Sequence, residues 1–248
     1  MSGIAKAYRV SENVAVASTS LPSTPPWRVA EEVADAVQRR WSADVVAIGV
    51  HGALAHGVDT GTVDIVVVTY RETTGPGPAT RQIDGVIVNL MVIDADRYLR
   101  HARTLSTSWP LAADQYLTTK ALYDPEGWHD RLRDTHLARL AEATGREFAA
   151  LAREAWCHAC SLHARARRLA EWYDTDGAVL VLGEARTATA VVEGLLTRTY
   201  FKDSADAVHR VGLGHAQVDE LGDKLAAQAI ELERRGRPAQ GAVTDLLG

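Results

Sequence analysis

The sequence predicts an α/β N-terminal domain with a mixed sheet flanked by helices, followed by an all-α helical bundle. Short Val/Ile-rich runs of strand length cluster in the first half of the 248-residue chain. From about residue 146 onward, the apolar positions follow helical periodicity. These patterns divide the chain into an N-terminal arm at 1–26, the α/β domain at 27–135 and the bundle at 136–248.

The α/β domain is predicted to begin with an amphipathic helix over 27–41 that packs on the sheet. Its apolar side chains repeat every four residues with charges between them, at Val29, Val33, Val37 and Trp41. The arm before it has little helical pattern and ends in a Pro-rich stretch, which favours an arm or an edge strand.

The central strands are predicted from two apolar runs, 45–50 and 64–69. The second run is almost continuously apolar, which is typical of a strand covered on both faces. A Gly-Pro-Gly-Pro loop at 75–78 follows these strands.

A hairpin is predicted around Asp84-Gly85, because this dipeptide precedes a third apolar run at 86–93. The second arm of that hairpin returns through the sheet. Asp94 then carries the short acidic side chain that caps a helix.

Beyond Trp109-Pro110 the pattern predicts helices as far as residue 235. The long segments are expected at 146–173, 178–201, 203–212 and 216–235. Turns are expected at 174–177 and 212–214, where Gly and Asp are frequent.

Composition excludes several classes of function. The formal net charge of −5 gives no basic surface for nucleic acid. No apolar run approaches the length that crosses a bilayer. The only cysteines, Cys157 and Cys160, are too close in sequence for a useful structural bridge. We therefore expect a cytoplasmic protein with a small-molecule or protein partner, without nucleic acid or membrane.

Chemistry is indicated most clearly between Gly49 and Thr69, where the sequence reads GVHGALAHGVDTGTVDIVVVT. A strand is followed by a Gly turn, a short helix, a Gly/Thr-rich loop and a strand that begins with an acid. Backbone N–H groups at such a turn can hold a phosphate or sulfate, and Asp64 lies on the adjoining strand.

This segment resembles the kanamycin (aminoglycoside 4'-O-) nucleotidyltransferases, whose motif reads Gly-Ser, a loop, then Ser-Asp-x-Glu. Similar segments are Val86-Ile87-Val88-Asn89, Ser108-Trp109-Pro110-Leu111 with Gln115, and Leu122-Tyr123-Asp124. The resemblance covers roughly residues 30–235 and implies a nucleotidyltransferase-like fold.

The departures from that family concern its metal ligands. The resemblance implies three strand acids that hold two Mg²⁺ ions, and Asp64 matches the first. The second falls on Val66 and the third on Ile87, which cannot ligate Mg²⁺. The Ser of the Gly-Ser turn is Ala53, and the following Arg is His56.

The catalytic Glu and Lys that the resemblance implies on the first bundle helix are also missing. One register places them at Ala159 and His163, and the other at Ser161 and Arg165. Neither register supplies a carboxylate. We therefore expect no metal and no cofactor.

The residues predicted to act in catalysis are Asp64, His51 and His163. Those predicted to bind the substrate or an anion are Gly52, Ala53, His56, Thr62, Asn89 and Arg165. For each, a solvated or purely structural role is the alternative. Cys157, Cys160 and His163 have spacing compatible with zinc, but structural zinc normally takes four ligands from separated elements, so cysteines that fill a helix interface are favoured.

Three functions remain open from the sequence. The first is a repurposed enzyme of antibiotic or other secondary metabolism, which eliminates or displaces a sulfate or phosphate leaving group without a metal. The second is a non-catalytic subunit of a heterodimer, since the resembled family assembles its active site across a dimer. The third is an aminoglycoside-type nucleotidyltransferase with an atypical metal site.

Overall fold

The computed structural model describes residues 24–239 and 241. Within that part, the elements form two groups, a sheet with its flanking helices and a set of long helices. The elements are α1 (Pro25–Trp41), β1 (Val45–His51), a 3₁₀ turn (Ala53–His56), β2 (Thr62–Thr69), β3 (Ala79–Ile83), β4 (Val86–Asp94), α2 (Ala95–Ala102), α3 (Trp109–Leu117), β5 (Lys120–Tyr123), α4 (Trp128–Glu142), α5 (Gly145–Glu171), α6 (Thr175–Thr197), α7 (Ser204–Arg210) and α8 (Val218–Arg234).

The five strands form one mixed sheet in the order β3-β4-β2-β1-β5. Strands β2 and β4 are parallel, with Asp64 beside Asn89. The other neighbours are antiparallel, with His51 beside Asp64 between β1 and β2. This register brings three polar side chains to one end of the sheet.

Alternating residues of the strands pack against helices on both faces of the sheet. One face packs on α1 through Ile48, Val50 and Ile65. The other face packs on α2, α3 and α4 through Val66 and Val68. Because β2 is covered on both faces, it has the continuous apolar run seen in the sequence.

Helix α3 belongs to both halves of the molecule. Its Tyr116 packs beneath the sheet with α2 and α4. Its Trp109 and Ala113 pack in the core formed by α5, α6 and α8. The long helices α5 and α6 run side by side and are joined by a short turn at 172–174. No helix within residues 24–239 is long and apolar enough to span a membrane.

The predicted fold class, a mixed sheet flanked by helices followed by an all-α region, is confirmed. The hairpin at Asp84-Gly85 and the loop at 75–78 are as predicted. Asp94 caps α2, since its side chain accepts from the N–H of Arg97. The arm at 1–23 lies outside the described residues.

Several boundaries differ from the sequence prediction. Helix α1 begins at Pro25, because proline is tolerated in the first turn of a helix. The turn predicted at 174–177 is mostly helix, since Asp174 caps α6 by accepting from the N–H of Gly177. The boundary near residue 135 stays a prediction, and α4 runs across that position.

The prediction of continuous helix after Trp109-Pro110 is wrong at β5 (Lys120–Tyr123). This strand is only four residues long and contributes to the edge of the sheet beside β1. So short a run has no periodicity of its own, and its structure comes from pairing with a distant strand.

Two buried histidines hold the helices beneath the sheet. His136 donates from Nδ1 to the carbonyl of Ala102 and accepts from Trp109 Nε1. His129 donates from Nδ1 to Asp124. Burial lowers the pKa of His136, although its bond to Ala102 acts in the opposite direction. Burial likewise lowers the pKa of His129, against the opposing effect of Asp124.

We expect Gly49→Ala to destabilise the fold by about 1–3 kcal/mol, as overpacking of a core does. A Cβ at Gly49 would collide with the Thr119 side chain and would lie 2.7 Å from His129 Nε2. Urea unfolding measures the change. Gly77→Ala is the control, since its Cβ would enter open space. Equal stabilities of the two variants would contradict this account of β1.

The fold should lose stability as the pH falls below about 6.5, the pKa of an unfolded histidine. Since the pKa values of His129 and His136 are lower in the folded state, the unfolded chain binds more protons between the folded and unfolded pKa values. The contribution of these two histidines to the free energy of unfolding is therefore fully present above that window, and it is lost as the pH falls through it.

Urea midpoints measured between about pH 7.5 and about pH 5 test this linkage. His136→Gln should reduce the slope in that window because the replaced side chain no longer titrates. His158→Gln is the control, since His158 is exposed. An unchanged slope in His136→Gln would show that this buried histidine does not contribute.

Candidate active site

The candidate active site lies where β1, β2 and β4 meet at one end of the sheet. Three of the predicted residues, His51, Asp64 and Asn89, occupy neighbouring register positions there. Residues directly opposite on adjacent strands share a face, so the three side chains lie together. They line an open cleft of about 510 Å³ with Thr80 and Met91.

The Asp64 carboxylate is oriented by a chain of hydrogen bonds across three strands. Asn89 Nδ2 donates to Asp64 Oδ1 at 2.9 Å. The amide of Asn89 is fixed in turn, because Thr80 Oγ1 donates to Asn89 Oδ1 at 3.0 Å. The carboxylate is thus held by side chains of rigid strands, which is the arrangement that a positioned catalytic base requires.

The Gly turn lies directly against this carboxylate. Gly52 has φ of 71°, and a Cβ there would lie 2.9 Å from Asp64 Oδ2. Both the backbone conformation and the close approach therefore require glycine. The Asp64 carboxylate therefore lies directly beside the backbone at which the sequence predicts an anion site, Gly52 and Ala53.

His51 is the second titratable group of the cleft. Burial lowers its pKa, while the charges of Asp64 and Asp114 oppose that effect. Because the net direction is downward, the imidazole is neutral near pH 7 and has a lone pair that can accept a proton. His51 and Asp64 together can therefore remove a proton from a substrate.

Asp114 on α3 was missed by the sequence predictions. Its side chain is only 4% exposed, and His56 Nε2 lies 2.9 and 3.1 Å from its two oxygens. A carboxylate can only accept, so Nε2 of His56 carries the proton. The signal in the sequence was an acid on the apolar side of a helix, four residues after Pro110, where burial requires a partner.

Three of the predicted residues, His163, Arg165 and Thr62, do not line the cleft. His163 packs against α8, and its Nε2 lies 2.8 Å from the carbonyl oxygen of Val218. Arg165 is exposed on α5. Thr62 lies at the start of β2, where its Oγ1 is 2.8 Å from that of Thr60. The site role predicted for His163 therefore has no support from its position within one chain.

A different face of α5 lines a cavity of about 750 Å³ near Ser108. Glu154 and His158 contribute to it from α5, and Glu184 contributes from α6. Ala159 is instead buried in the core, and Ser161 is exposed. Glu154 and His158 are spaced i, i+4 and so share one helix face. The spacing alone did not show that this face of α5 lines a cavity.

The donor set around Asp64 does not match a two-metal site. Val66 is fully buried in the core, and Ile87 is 42% exposed. In the part of the chain that the structure describes, no three His, Cys, Asp or Glu side chains cluster to hold a metal. Cys160 is half-buried in a helix interface and burial raises its pKa to about 11, whereas Cys157 is exposed.

No protein-family model and no curated protein matches this chain. Among solved structures, the chain is similar to a nucleotidyltransferase-like protein from Exiguobacterium sibiricum 255-15, with 11% identity and a TM-score of 0.42. The match covers 83% of this chain and 75% of that protein. The likeness concerns the arrangement of helices and strands and carries no information about chemistry.

We expect His56→Ala to destabilise the protein by about 3 kcal/mol, because it leaves the buried carboxylate of Asp114 without its partner. Asp114→Ala should also destabilise, but the double variant should cost clearly less than the sum of the two. Urea unfolding of all four proteins gives the coupling.

The control cycle uses Arg28 and Glu32, an ion pair with both side chains more than half exposed. Its coupling should be about 0.5 kcal/mol or less. Additive effects of His56→Ala and Asp114→Ala would contradict the assigned pairing.

Proposed function

We propose that the protein is a metal-independent enzyme of small-molecule metabolism on a nucleotidyltransferase-like scaffold. Its reaction would be elimination or intramolecular displacement of a sulfate or phosphate leaving group, in secondary metabolism and in the cytoplasm. One observation supports this proposal best. His51, whose pKa is lowered, and Asp64, whose carboxylate is oriented by Asn89, line the same open cleft. The proposal also includes a relationship to the kanamycin nucleotidyltransferases, which is based on the motifs quoted above.

The chemistry needs a base and a substrate that carries its own leaving group. In the displacement, His51 takes a proton from a substrate ammonium group, and the nitrogen lone pair that this frees attacks the carbon that bears the ester oxygen. The C–N bond forms as the C–O bond breaks, and sulfate or phosphate leaves with the electron pair. Asp64 stabilises the imidazolium that results, because it lies opposite His51 across the strand pair.

The residue types around Asp64 favour this chemistry over nucleotidyl transfer. Two-metal transfer needs clustered carboxylates that bridge both ions. Here one of the two oxygens of Asp64 already accepts from Asn89, and the positions of the other strand acids hold Val66 and Ile87. Proton transfer needs only the one carboxylate and the neighbouring imidazole.

A second candidate is a non-catalytic subunit of a dimer, which an exposed apolar patch favours. Trp172 and Tyr173, in the turn between α5 and α6, are 69% and 92% exposed, and Val179 and Leu180, near the start of α6, are 64% and 71% exposed. Exposed large apolar side chains that lie this close along the chain are typical of interaction surfaces. A homodimer or a heterodimer is therefore part of the proposal.

The mass of the purified chain in solution separates these candidates. A monomer that converts substrate alone would argue against the subunit role. Replacement of Trp172 and Leu180 by Ser should dissociate a homodimer if this patch forms its interface. A dimer that persists in that variant would assign the interface elsewhere.

We expect the chain to release sulfate or phosphate from 2-aminoalkyl sulfate or phosphate esters in the presence of EDTA. Asp64→Asn and His51→Gln should each lower kcat by about 10²–10⁴-fold, as loss of a catalytic base does. Ion chromatography measures the released anion. Asp96→Asn is the matched control, since Asp96 is an exposed acid on α2.

ATP with Mg²⁺ provides the opposing test. At about 100 times its dissociation constant, a ligand stabilises the fold by about 2.7 kcal/mol. Stabilisation by ATP that depends on both Mg²⁺ and Asp64, together with nucleotide transfer to an aminoglycoside, would overturn the proposal and favour the third function.

A further inference from the structure

A second cavity, outside the cleft, lies where α3 and α4 meet the end of α6 and the start of α7. Its volume is about 710 Å³, which is in the usual range for a small-molecule site. The lining combines apolar and cationic side chains and contains no Asp or Glu: His56, Trp109, Leu117, Arg133, Leu137, Leu140, Phe148, Arg198, Thr199, Tyr200, Lys202 and Arg210.

The cationic side chains of this cavity are only partly neutralised. Arg210 lies 3.5 Å from Asp206, and Arg133 lies 3.0 Å from Asp130. Arg198 and Lys202 have no carboxylate within ion-pair distance among residues 24–239. Arg198 and Lys202 are therefore the cations of this lining that no carboxylate of the described residues pairs directly, whereas Arg133 and Arg210 are paired.

Two of the guanidinium groups are held in place by aromatic rings. Arg198 is the left-handed C-cap residue of α6, and its guanidinium lies 4.9 Å from the centre of the Phe148 ring. Arg210 lies 5.2 Å from the centre of the Phe201 ring and donates to the carbonyl of Tyr200 at 3.1 Å. These contacts orient the donors, so less side-chain entropy is lost when an anion binds.

The inner wall of the cavity is apolar. Trp109 and Phe148 pack edge to face with ring centres 5.1 Å apart, and both are almost fully buried. Leu137, in contrast, is 44% exposed at the mouth. A ligand that fits both surfaces has an apolar body and an anionic end.

We propose that this cavity binds a phosphate or sulfate monoester with an aromatic or other apolar body. Arg198 and Lys202 hold the anionic group, and the more accessible apolar side chains of the lining, Leu117, Leu137 and Leu140, contact the body. Arginine forms paired hydrogen bonds with such oxyanions, and lysine adds a point charge. The site is independent of the reaction assigned to the cleft, because none of these residues lines that cleft.

Isothermal titration of the full chain with 1-naphthyl phosphate and 1-naphthyl sulfate, in EDTA, tests the proposal. We expect saturable binding with one ligand per chain. The variant Arg198→Gln/Lys202→Gln should bind at least about a hundredfold more weakly, since it removes both charged donors that hold the anionic group. Arg165→Gln/Arg168→Gln is the matched control, since both residues are exposed on α5.

Titrations with each half of the ligand, and with the variants, decide the outcome. 1-Naphthol and inorganic phosphate should each bind more weakly than the ester, because each lacks one half of the ligand. Equal binding of 1-naphthol, or unchanged binding in Arg198→Gln/Lys202→Gln, would overturn the proposal, as would no binding of either ester. Asp64→Asn should bind the ester normally, so failure of the cleft chemistry would leave this result unaffected.

Discussion

A buried carboxylate on α3 is the constraint on which the candidate site depends. Asp114 is almost fully buried, and a charge in that environment is tolerated only when it is paired. Its partner His56 ends the 3₁₀ turn that follows β1. The pair therefore fixes the loop that carries Gly52 against the helix that enters the bundle. The charge of Asp114 also acts to raise the pKa of His51, after the larger effects of burial and of Asp64.

The cleft and the cationic cavity divide two chemical tasks between different parts of the fold. Proton transfer is suited to the end of the sheet, where strand pairing fixes the side chains of His51 and Asp64. Anion binding is suited to the region between α4 and α7, where the lining has arginines and no acids.

The fold was predictable from the sequence where a pattern was local. The fully covered strand β2, the hairpin at Asp84-Gly85 and the helices of the bundle follow from hydrophobic period and turn residues. Strand β5 was not predictable, because its pairing with β1 is long-range. In the site, Asp64 and Asn89 were identified through the resemblance to the motifs of the kanamycin nucleotidyltransferases. The position of His163 could not be predicted in this way. A residue on a helix can face either neighbouring element, and only packing against α8 decides which one His163 faces.

Helix α3 packs in both cores, and this limits how small molecules can reach the interior. Trp109 is embedded in the core of the long helices, whereas Tyr116, two turns later, is embedded beneath the sheet. A hinge between the halves would have to extract one of these rings from close-packed surroundings. Access to the cationic cavity therefore depends on rotation of rim side chains such as Arg133 and Lys202, and not on separation of the two halves.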